Sequence, residues 1–190
     1  KEKYGKESLL GMDMLRLALE RTKDASSALN FLIDLLAQYG QGGNCGFDKN
    51  FHYHNSFLIA DSKEAYVLET AGIYYVAKKV KDVYAISNCL SIENDYDMIH
   101  KDAIDNAIAK KYCKSKEEFG FASCYSDKLF TFFAKSKNRR AQATKSLTDR
   151  AGRITFDAMK NILRCHAPNK KEDKNSVGSI CMHAGGLIGD

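Results

Sequence analysis

The sequence predicts an α+β fold, in which two helices precede an antiparallel sheet and a largely helical block follows it. Three observations lead to this fold class. Apolar residues recur at helical spacing over 9–39, and again over much of 97–167. Between them, four short runs rich in β-branched and aromatic residues follow one another over 57–86. Because no helix separates these runs, antiparallel hairpins are favoured over parallel βαβ units.

The first part, residues 1–40, is predicted to be a helical hairpin. We expect the first helix to span 9–21 and to bury an apolar stripe made of Leu9, Met12, Leu15 and Leu19, which Leu10, Met14 and Leu17 widen. Asp24 is suited to cap a second helix over 25–39, and Gly40 is suited to end it. The inward residues of the second helix are predicted to be Leu29, Leu32, Ile33 and Leu36.

The second part, residues 54–92, is predicted to be a β meander. Its strand cores are expected at 57–60, 66–69, 73–76 and 83–86, with turn residues between them. The last of these strands brings Asn88 to a strand end, where a side chain would be held by the whole sheet. On local evidence alone, Asn88 is most simply a turn residue, as asparagine often is.

The third part, residues 97–167, is predicted to be a helical block. Helices are expected over 98–111, 119–134, 141–150 and 156–164. Residues 115–118 have the form of a capping box, and Thr155 is suited to cap the last helix. That helix is expected to bury Phe156, Met159, Ile162 and Leu163. A returning strand is predicted within 176–190, beginning at Ser179.

Composition and length suit a folded protein without a membrane span. The chain has 190 residues, 44% of them hydrophobic, which is enough for one domain with its own core over 1–190. No apolar run approaches the roughly 20 residues that cross a bilayer. The charged start KEKYGKES does not resemble a signal peptide. We therefore expect a cytoplasmic protein with no membrane partner.

The cysteines carry no paired spacing of a metal or redox motif. We expect reduced thiols at all six positions, Cys45, Cys89, Cys113, Cys124, Cys165 and Cys181. Cys45 with His52 and His54, and Cys165 with His166, combine metal-ligating residue types, but neither group has the spacing of a zinc site. No glycine-rich phosphate loop of the GxxxxGKS or GxGxxG type occurs. We expect no metal and no cofactor.

The densest positive charge lies over 135–153, KSKNRRAQATKSLTDRAGR. A nucleic-acid surface is one interpretation of this tract. No RNA- or DNA-binding motif accompanies it, and Phe130, Phe132 and Phe133 fit a helix core better than a platform for stacked bases. A solvated helical face is the favoured interpretation, with no nucleic-acid partner.

An ordered series of segments extends through nearly the whole chain. The series is 9–72 (LLGMDM to LETAG), VYAISN at 83–88, YSDKLFT at 125–131, ITFDAMKNILRCH at 154–166 and SICMHAGG at 179–186. It resembles the secernin-type dipeptidases. These belong to the wider group of N-terminal-nucleophile (Ntn) hydrolases, which includes bile-salt hydrolase, penicillin V acylase and the acyl-CoA:6-aminopenicillanic acid acyltransferases. Each segment is weak by itself, and the specificity lies in their order.

The resemblance implies a four-layer αββα fold with a largely helical insertion, and hydrolysis of the amide bond of a small peptide or N-acyl amide. In such enzymes the thiol of a mature N-terminal cysteine attacks the scissile carbonyl, and its own α-amino group accepts the proton. The amine has a pKa near 8 in solution, which suits this task. The resulting oxyanion needs fixed hydrogen-bond donors.

The resemblance also implies roles for particular residues. Asn88 matches the asparagine whose side-chain amide stabilises the oxyanion. Asn55 and His183 are candidates for substrate contact, although Asn55 is equally suited to capping a strand and His183 to a structural role. Arg139 and Arg140 are candidates for holding a carboxylate, or simply form an exposed helix end.

The start of the chain departs from the family pattern. Residue 1 is Lys1, so none of the cysteines is an N-terminal nucleophile, and Cys89 is interpreted as a buried thiol. We therefore expect the central and C-terminal part of a longer enzyme, incomplete at both ends and inactive by itself. A non-catalytic interaction domain and an acyltransferase with the same fold are the alternatives. A homo-oligomer is compatible with an open sheet edge.

Overall fold

The computed structural model describes residues 8–47, 51–127, 135–166 and 178–181. Contacts between these residues group them into two compact units. The described residues of the first unit are 8–47, 51–81 and 90–126, and those of the second are 82–89, 127, 135–166 and 178–181. Among these residues, the first unit carries the sheet and four helices, and the second unit carries two helices.

Four antiparallel strands form one sheet in the first unit, which confirms the predicted α+β class. Their order in the sheet is the order in the chain. The strands are Ser56–Ala60 (β1), Ala65–Ala71 (β2), Tyr74–Lys79 (β3) and Met98–Ile99 (β4). The first three match the predicted strand cores, and Gly72, with φ of 60°, allows the tight turn between β2 and β3.

The strand predicted over 83–86 does not form. The place beside β3 is taken by β4, in which Ile99 pairs with Val76 and Met98 with Ala77. Residues 83–86 belong to the second unit instead, where Ala85 is buried with Leu147. The apolar side chains of this segment pack in the core of the second unit, and its backbone does not pair with a strand. Tertiary packing here outweighs the strand propensity of the residues.

The helical hairpin of the first unit consists of Gly11–Arg21 (α1) and Ala25–Tyr39 (α2). The predicted cap of α2 is confirmed, because the Asp24 carboxylate accepts a hydrogen bond from the Ser27 N–H at 2.8 Å. Gly40 ends the helix as expected: it has φ of 68°, and its N–H donates to the Leu36 carbonyl oxygen.

The buried face of α1 matches the predicted stripe only in part, because Met14 and Leu17, which were expected to widen the stripe, face the core and three of its central members do not. Met14 and Ala18 are buried, whereas Met12, Leu15 and Leu19 are 57%, 51% and 76% exposed. Apolar residues surround much of this helix, so the spacing alone supports more than one inward face. The packing against α2 and the sheet selects the face that carries Met14.

The main core lies between the helical hairpin and one face of the sheet. Phe57, Leu68 and Ala77 are neighbours across β1, β2 and β3 on that face. The buried members of this core are Met14, Ala18, Leu29, Leu32, Leu35, Leu36, Phe57, Leu68 and Ala77. Three of the four predicted inward residues of α2 are therefore buried, and Ile33 packs against them. On the other face of the sheet, Tyr74 stacks on Tyr125 with ring centroids 5.7 Å apart.

Two short helices follow the sheet, Ala103–Ala109 (α3) and Phe121–Tyr125 (α4). The helix predicted over 98–111 begins later because its first residues pair with β3 as β4. At the predicted capping box, the Glu118 carboxylate accepts from the Lys114 N–H, but no helix begins there. Of the helix predicted over 119–134, residues 119–127 are described and only 121–125 (α4) are helical, while 128–134 lie outside the described residues.

The second unit contains Ser136–Thr148 (α5) and Phe156–Leu163 (α6). Thr155 caps α6 as predicted, accepting from the Ala158 N–H at 3.1 Å. Of the predicted inward stripe only Ile162 is buried, and Phe156, Met159 and Leu163 are exposed. Residues 178–181 form no strand, and the rest of the predicted returning strand lies outside the described residues. Within the described ranges, no helix is both long enough and apolar enough to cross a membrane.

Candidate functional site

Asn88 lies at the centre of a tight turn in the second unit. The Cys89 N–H donates to the Ser87 carbonyl oxygen at 2.7 Å, which closes the turn around Asn88. The Asn88 side chain is exposed. The backbone therefore fits the local interpretation of Asn88 as a turn residue, and the turn leaves its side-chain amide accessible to a ligand.

Arg139, near the start of α5, contacts the oxygen of that amide. Its Nη2 donates to Asn88 Oδ1 at 3.4 Å. Because the oxygen of the amide faces the guanidinium, the NH₂ group is at the opposite end and is oriented to donate. Burial lowers the pKa of Arg139 below its ordinary value, and the nearby Cys89 opposes that change. An arginine keeps its charge at neutral pH in such an environment.

Arg140 holds the segment immediately before Asn88. Its Nε donates to the Ala85 carbonyl oxygen at 3.0 Å, and its guanidinium lies over the Tyr84 ring at 5.1 Å from the centroid. Both arginines that the sequence singled out therefore contact residues 84–88. Sequence reasoning missed these contacts because their partners lie more than fifty positions away along the chain.

Asn55 lies in the first unit, where it is buried beside Gln41. Its Nδ2 donates to Gln41 Oε1 at 2.7 Å, and its backbone N–H reaches the same oxygen at 3.1 Å. Thr70 Oγ1 also lies 2.8 Å from that oxygen, and Gln41 Nε2 donates to the Gly72 carbonyl oxygen. These bonds give Asn55 a structural role at the start of β1, and its contact with a substrate stays a prediction.

Glu69 is a functional candidate that the sequence reasoning did not select. It is fully buried in β2, and its carboxylate accepts from the backbone N–H groups of Ser91 and Ile92 at 2.7 and 2.9 Å. The sequence could have pointed to Glu69, because it is a charged residue within the run Val67–Leu68–Glu69–Thr70–Ala71, which is otherwise uncharged and mostly apolar. Since Ser91 follows Asn88 by three residues, Glu69 anchors the chain where it returns to the first unit.

The histidines and the cysteine near residue 50 contact the backbone. His52 Nδ1 lies 2.9 Å from the Gly42 carbonyl oxygen, and His54 Nδ1 accepts from the Gly72 N–H. Cys45 Sγ donates to the Phe51 carbonyl oxygen. In the described part of the chain, no three histidine, cysteine, aspartate or glutamate residues lie close enough to hold a metal ion.

The predicted site residues are thus found in separate places. Asn88 belongs to the second unit and Asn55 to the first, and His183 lies outside the described residues. The structure adds Arg139 as the partner of Asn88. Comparison with the known protein-family models finds none that matches this chain.

Proposed function

We propose that this chain is part of an amide hydrolase of the N-terminal-nucleophile type, resembling the secernin-type dipeptidases. Its substrate is a small peptide or N-acyl amide, and Asn88 supplies a hydrogen bond to the oxyanion. The observation that carries the proposal is the contact between Arg139 and Asn88 Oδ1, which orients the amide as a donor. The antiparallel sheet with a helical hairpin on one face is compatible with half of an αββα fold.

The proposed reaction begins with attack of a cysteine thiol on the scissile carbonyl. The free α-amino group of that cysteine accepts the thiol proton and later protonates the leaving amine. The proposal concerns the longer, processed protein, in which a cysteine is the mature N-terminal residue. The acyl group is then transferred to water, or to an amine in an acyltransferase.

Asn88 acts when the carbonyl oxygen becomes negatively charged. A neutral donor that is already oriented stabilises this charge without reorganisation, which is why such donors lower the barrier. A flipped amide would present Oδ1 to the oxyanion, and two negatively polarised oxygens repel. Arg139 disfavours the flip because its guanidinium would then face the NH₂ group, two donors without an acceptor between them.

The test is an Asn88→Ala change in the longer, processed protein. The kcat/KM for a panel of dipeptides and N-acyl amides should fall about 100- to 1000-fold, as expected for loss of one oxyanion donor. The matched control is Asn30→Ala, because Asn30 is an exposed helical asparagine that bonds only the Ser26 carbonyl oxygen among the described residues.

Unchanged turnover of Asn88→Ala would contradict the oxyanion role while leaving the reaction class intact. N-terminal sequencing of the active protein tests the reaction class separately. A mature start other than cysteine would contradict the hydrolase proposal and favour the non-catalytic alternative.

A further inference from the structure

The short segment that starts at Ser91 is held from two sides in the first unit. On one side, the Glu69 carboxylate of β2 accepts from the Ser91 N–H at 2.7 Å, from the Ser91 hydroxyl at 2.5 Å and from the Ile92 N–H at 2.9 Å. On the other side, the Ala122 N–H donates to the Ile92 carbonyl oxygen at 2.9 Å. The segment is therefore a fixed point of the chain, and it begins three residues after Asn88.

The burial of a charged side chain indicates what this arrangement holds. Glu69 has no exposed surface, and a buried carboxylate is costly unless hydrogen-bond donors surround it. Three donors come from two consecutive residues, Ser91 and Ile92, and two of the three are backbone N–H groups. The Ile92 N–H is buried as well and needs an acceptor, because an unpaired buried donor is costly. An apolar residue at position 69 would fill the core but would not hold this segment.

The anchored segment restricts the turn that carries Asn88. Two residues lie between Asn88 and Ser91, so the chain from one to the other extends at most about 11 Å. The turn is closed by Cys89, whose N–H donates to the Ser87 carbonyl oxygen at 2.7 Å. Without the anchor at Ser91, the turn would lose its fixed end on this side.

We propose that Glu69 is a positioning residue for Asn88, acting through Ser91 and the turn at 87–89. This inference rests on the proposed function, in which the Asn88 amide stabilises the oxyanion. Such a donor lowers the barrier when its orientation is fixed before the charge develops. A misplacement of about 1 Å can cost roughly 100-fold in rate. Glu69 takes no part in the chemistry itself.

Kinetics of the longer, processed protein test this role. Glu69→Leu replaces the carboxylate by an apolar side chain without an acceptor, and kcat should fall about 10- to 100-fold. The KM should change little, because Asn88 acts in the transition state. Glu69→Gln is the conservative rescue, since its Oε1 can accept from both backbone N–H groups while its NH₂ group donates to the Ser91 hydroxyl oxygen. It should keep most of the wild-type kcat.

A double-mutant cycle separates positioning from a general loss of stability. In an Asn88→Ala background, Glu69→Leu should change kcat less than about twofold, because the group that it positions is gone. Val67→Ala is the matched control at a buried position of the same strand, and it should leave the kcat of the folded protein unchanged. Additive effects of Glu69→Leu and Asn88→Ala would overturn the inference. Unchanged turnover of Asn88→Ala alone would contradict the oxyanion role itself and overturn the inference with it.

Amide hydrogen exchange tests the positioning on this chain without an activity assay. Glu69→Leu should accelerate exchange of the Cys89 N–H about tenfold or more relative to Val67→Ala, because the turn loses its anchor. Ser91→Ala removes the hydroxyl bond alone and serves if Glu69→Leu does not fold; it should give a smaller increase. Cys89 exchange that matches the wild-type rate in these anchor variants would overturn the inference, whatever the activity of the longer protein.

Discussion

Two glycines of the first unit lie so close to a neighbouring side chain that a Cβ atom at either position would clash with it. A Cβ atom at Gly11 would lie 1.9 Å from Asn55 Oδ1, and Asn55 is itself fixed by Gln41. A Cβ atom at Gly120 would lie 2.1 Å from Glu93 Oε2, but that carboxylate ends an exposed, flexible side chain. The two clashes have similar distances, but substitution of Gly11 should be more destabilising than substitution of Gly120.

We expect Gly11→Ala to lower the free energy of unfolding by about 1–3 kcal/mol, because the buried amide has no room to move. Gly120→Ala is the matched comparison and should cost less, since the exposed Glu93 carboxylate can move toward solvent and exchange its two hydrogen bonds from Ser123 for bonds to water. Urea denaturation of both variants measures the difference. Equal losses would show that Asn55 rearranges as easily as Glu93.

His100 gives the first unit a pH dependence. Its ring meets those of Tyr74 and Tyr75 edge to face, with centroids 5.2 and 5.6 Å away. Burial lowers the pKa of His100 below its ordinary 6.5, with Asp102 opposing and Lys101 adding to the effect. Between the folded-state pKa and 6.5, the unfolded chain binds more protons than the folded one, so stability falls as the pH falls through this window.

We expect His100→Gln to reduce this dependence. Thermal unfolding midpoints measured from pH 7.5 to 5 should fall less in the variant than in the wild-type protein. His166→Gln, a change at an exposed histidine, serves as the control and should keep the wild-type slope. A slope unchanged by His100→Gln would place the responsible group elsewhere.

At the scale of secondary-structure elements, one carboxylate joins the sheet to the helical hairpin. Asp61, in the turn after β1, accepts from the Ala25 N–H at the start of α2 at 2.8 Å, and from the N–H groups of Lys63 and Glu64. Asp24 caps the same helix by accepting from Ser27. The three backbone hydrogen bonds are the largest causes that lower the pKa of Asp61, and the Ser27 hydroxyl, followed by the Ser27 N–H, lowers the pKa of Asp24.

We predict that Asp61→Ala destabilises the protein more than Asp24→Ala, because it leaves three N–H groups without their acceptor instead of one. Loss of the Asp24 cap should lower the free energy of unfolding, as is usual for a helix cap. Asp24→Asn keeps an acceptor and is the control. Since the folded-state pKa values lie below the ordinary 3.8, the stabilisation is present above that pH and is lost as the pH falls further. Urea denaturation at pH 7 and pH 3 checks both statements.

How far the sequence predicts each element depends on how much of its environment is local. The cap and the end of α2 follow from Asp24 and Gly40, whose partners are three or four residues away. The prediction of a strand over 83–86 was wrong because Leu147, against which Ala85 packs, lies in α5, far along the chain. The orientation of the Asn88 side chain could not be predicted from the sequence either, since its partner Arg139 lies fifty-one positions later.

At the scale of the whole molecule, two compact units divide the contacts of the described residues. Leu147 is buried against Ala85 and Ile162 in the second unit, and Leu68 is buried at the centre of the sheet in the first. Neither residue belongs to the core of the other unit. Local opening within one unit should therefore leave the amides of the other unit protected from hydrogen exchange.

We expect Leu147→Ala to accelerate amide hydrogen exchange in α5 and α6 while the amides of β2 keep their protection. The truncation of a buried leucine typically costs about 2–5 kcal/mol, which is large enough to be detected. Leu68→Ala is the reciprocal control and should affect β2 and its neighbours. An equal loss of protection in both units after either change would show one cooperative unit.

The eight residues Asp82–Cys89 are synthesised well before α5, the helix whose Leu147 packs against Ala85. They leave the ribosome together with the sheet, but Leu147 in α5 is added about sixty residues later. At translation rates of about 5–20 residues per second, the delay is roughly 3–12 s. During that interval the first unit has most of its strands, while Ala85 and its apolar neighbours have no core to enter. During that interval the stretch that carries Asn88 is therefore exposed to aggregation and to chaperones that bind apolar segments.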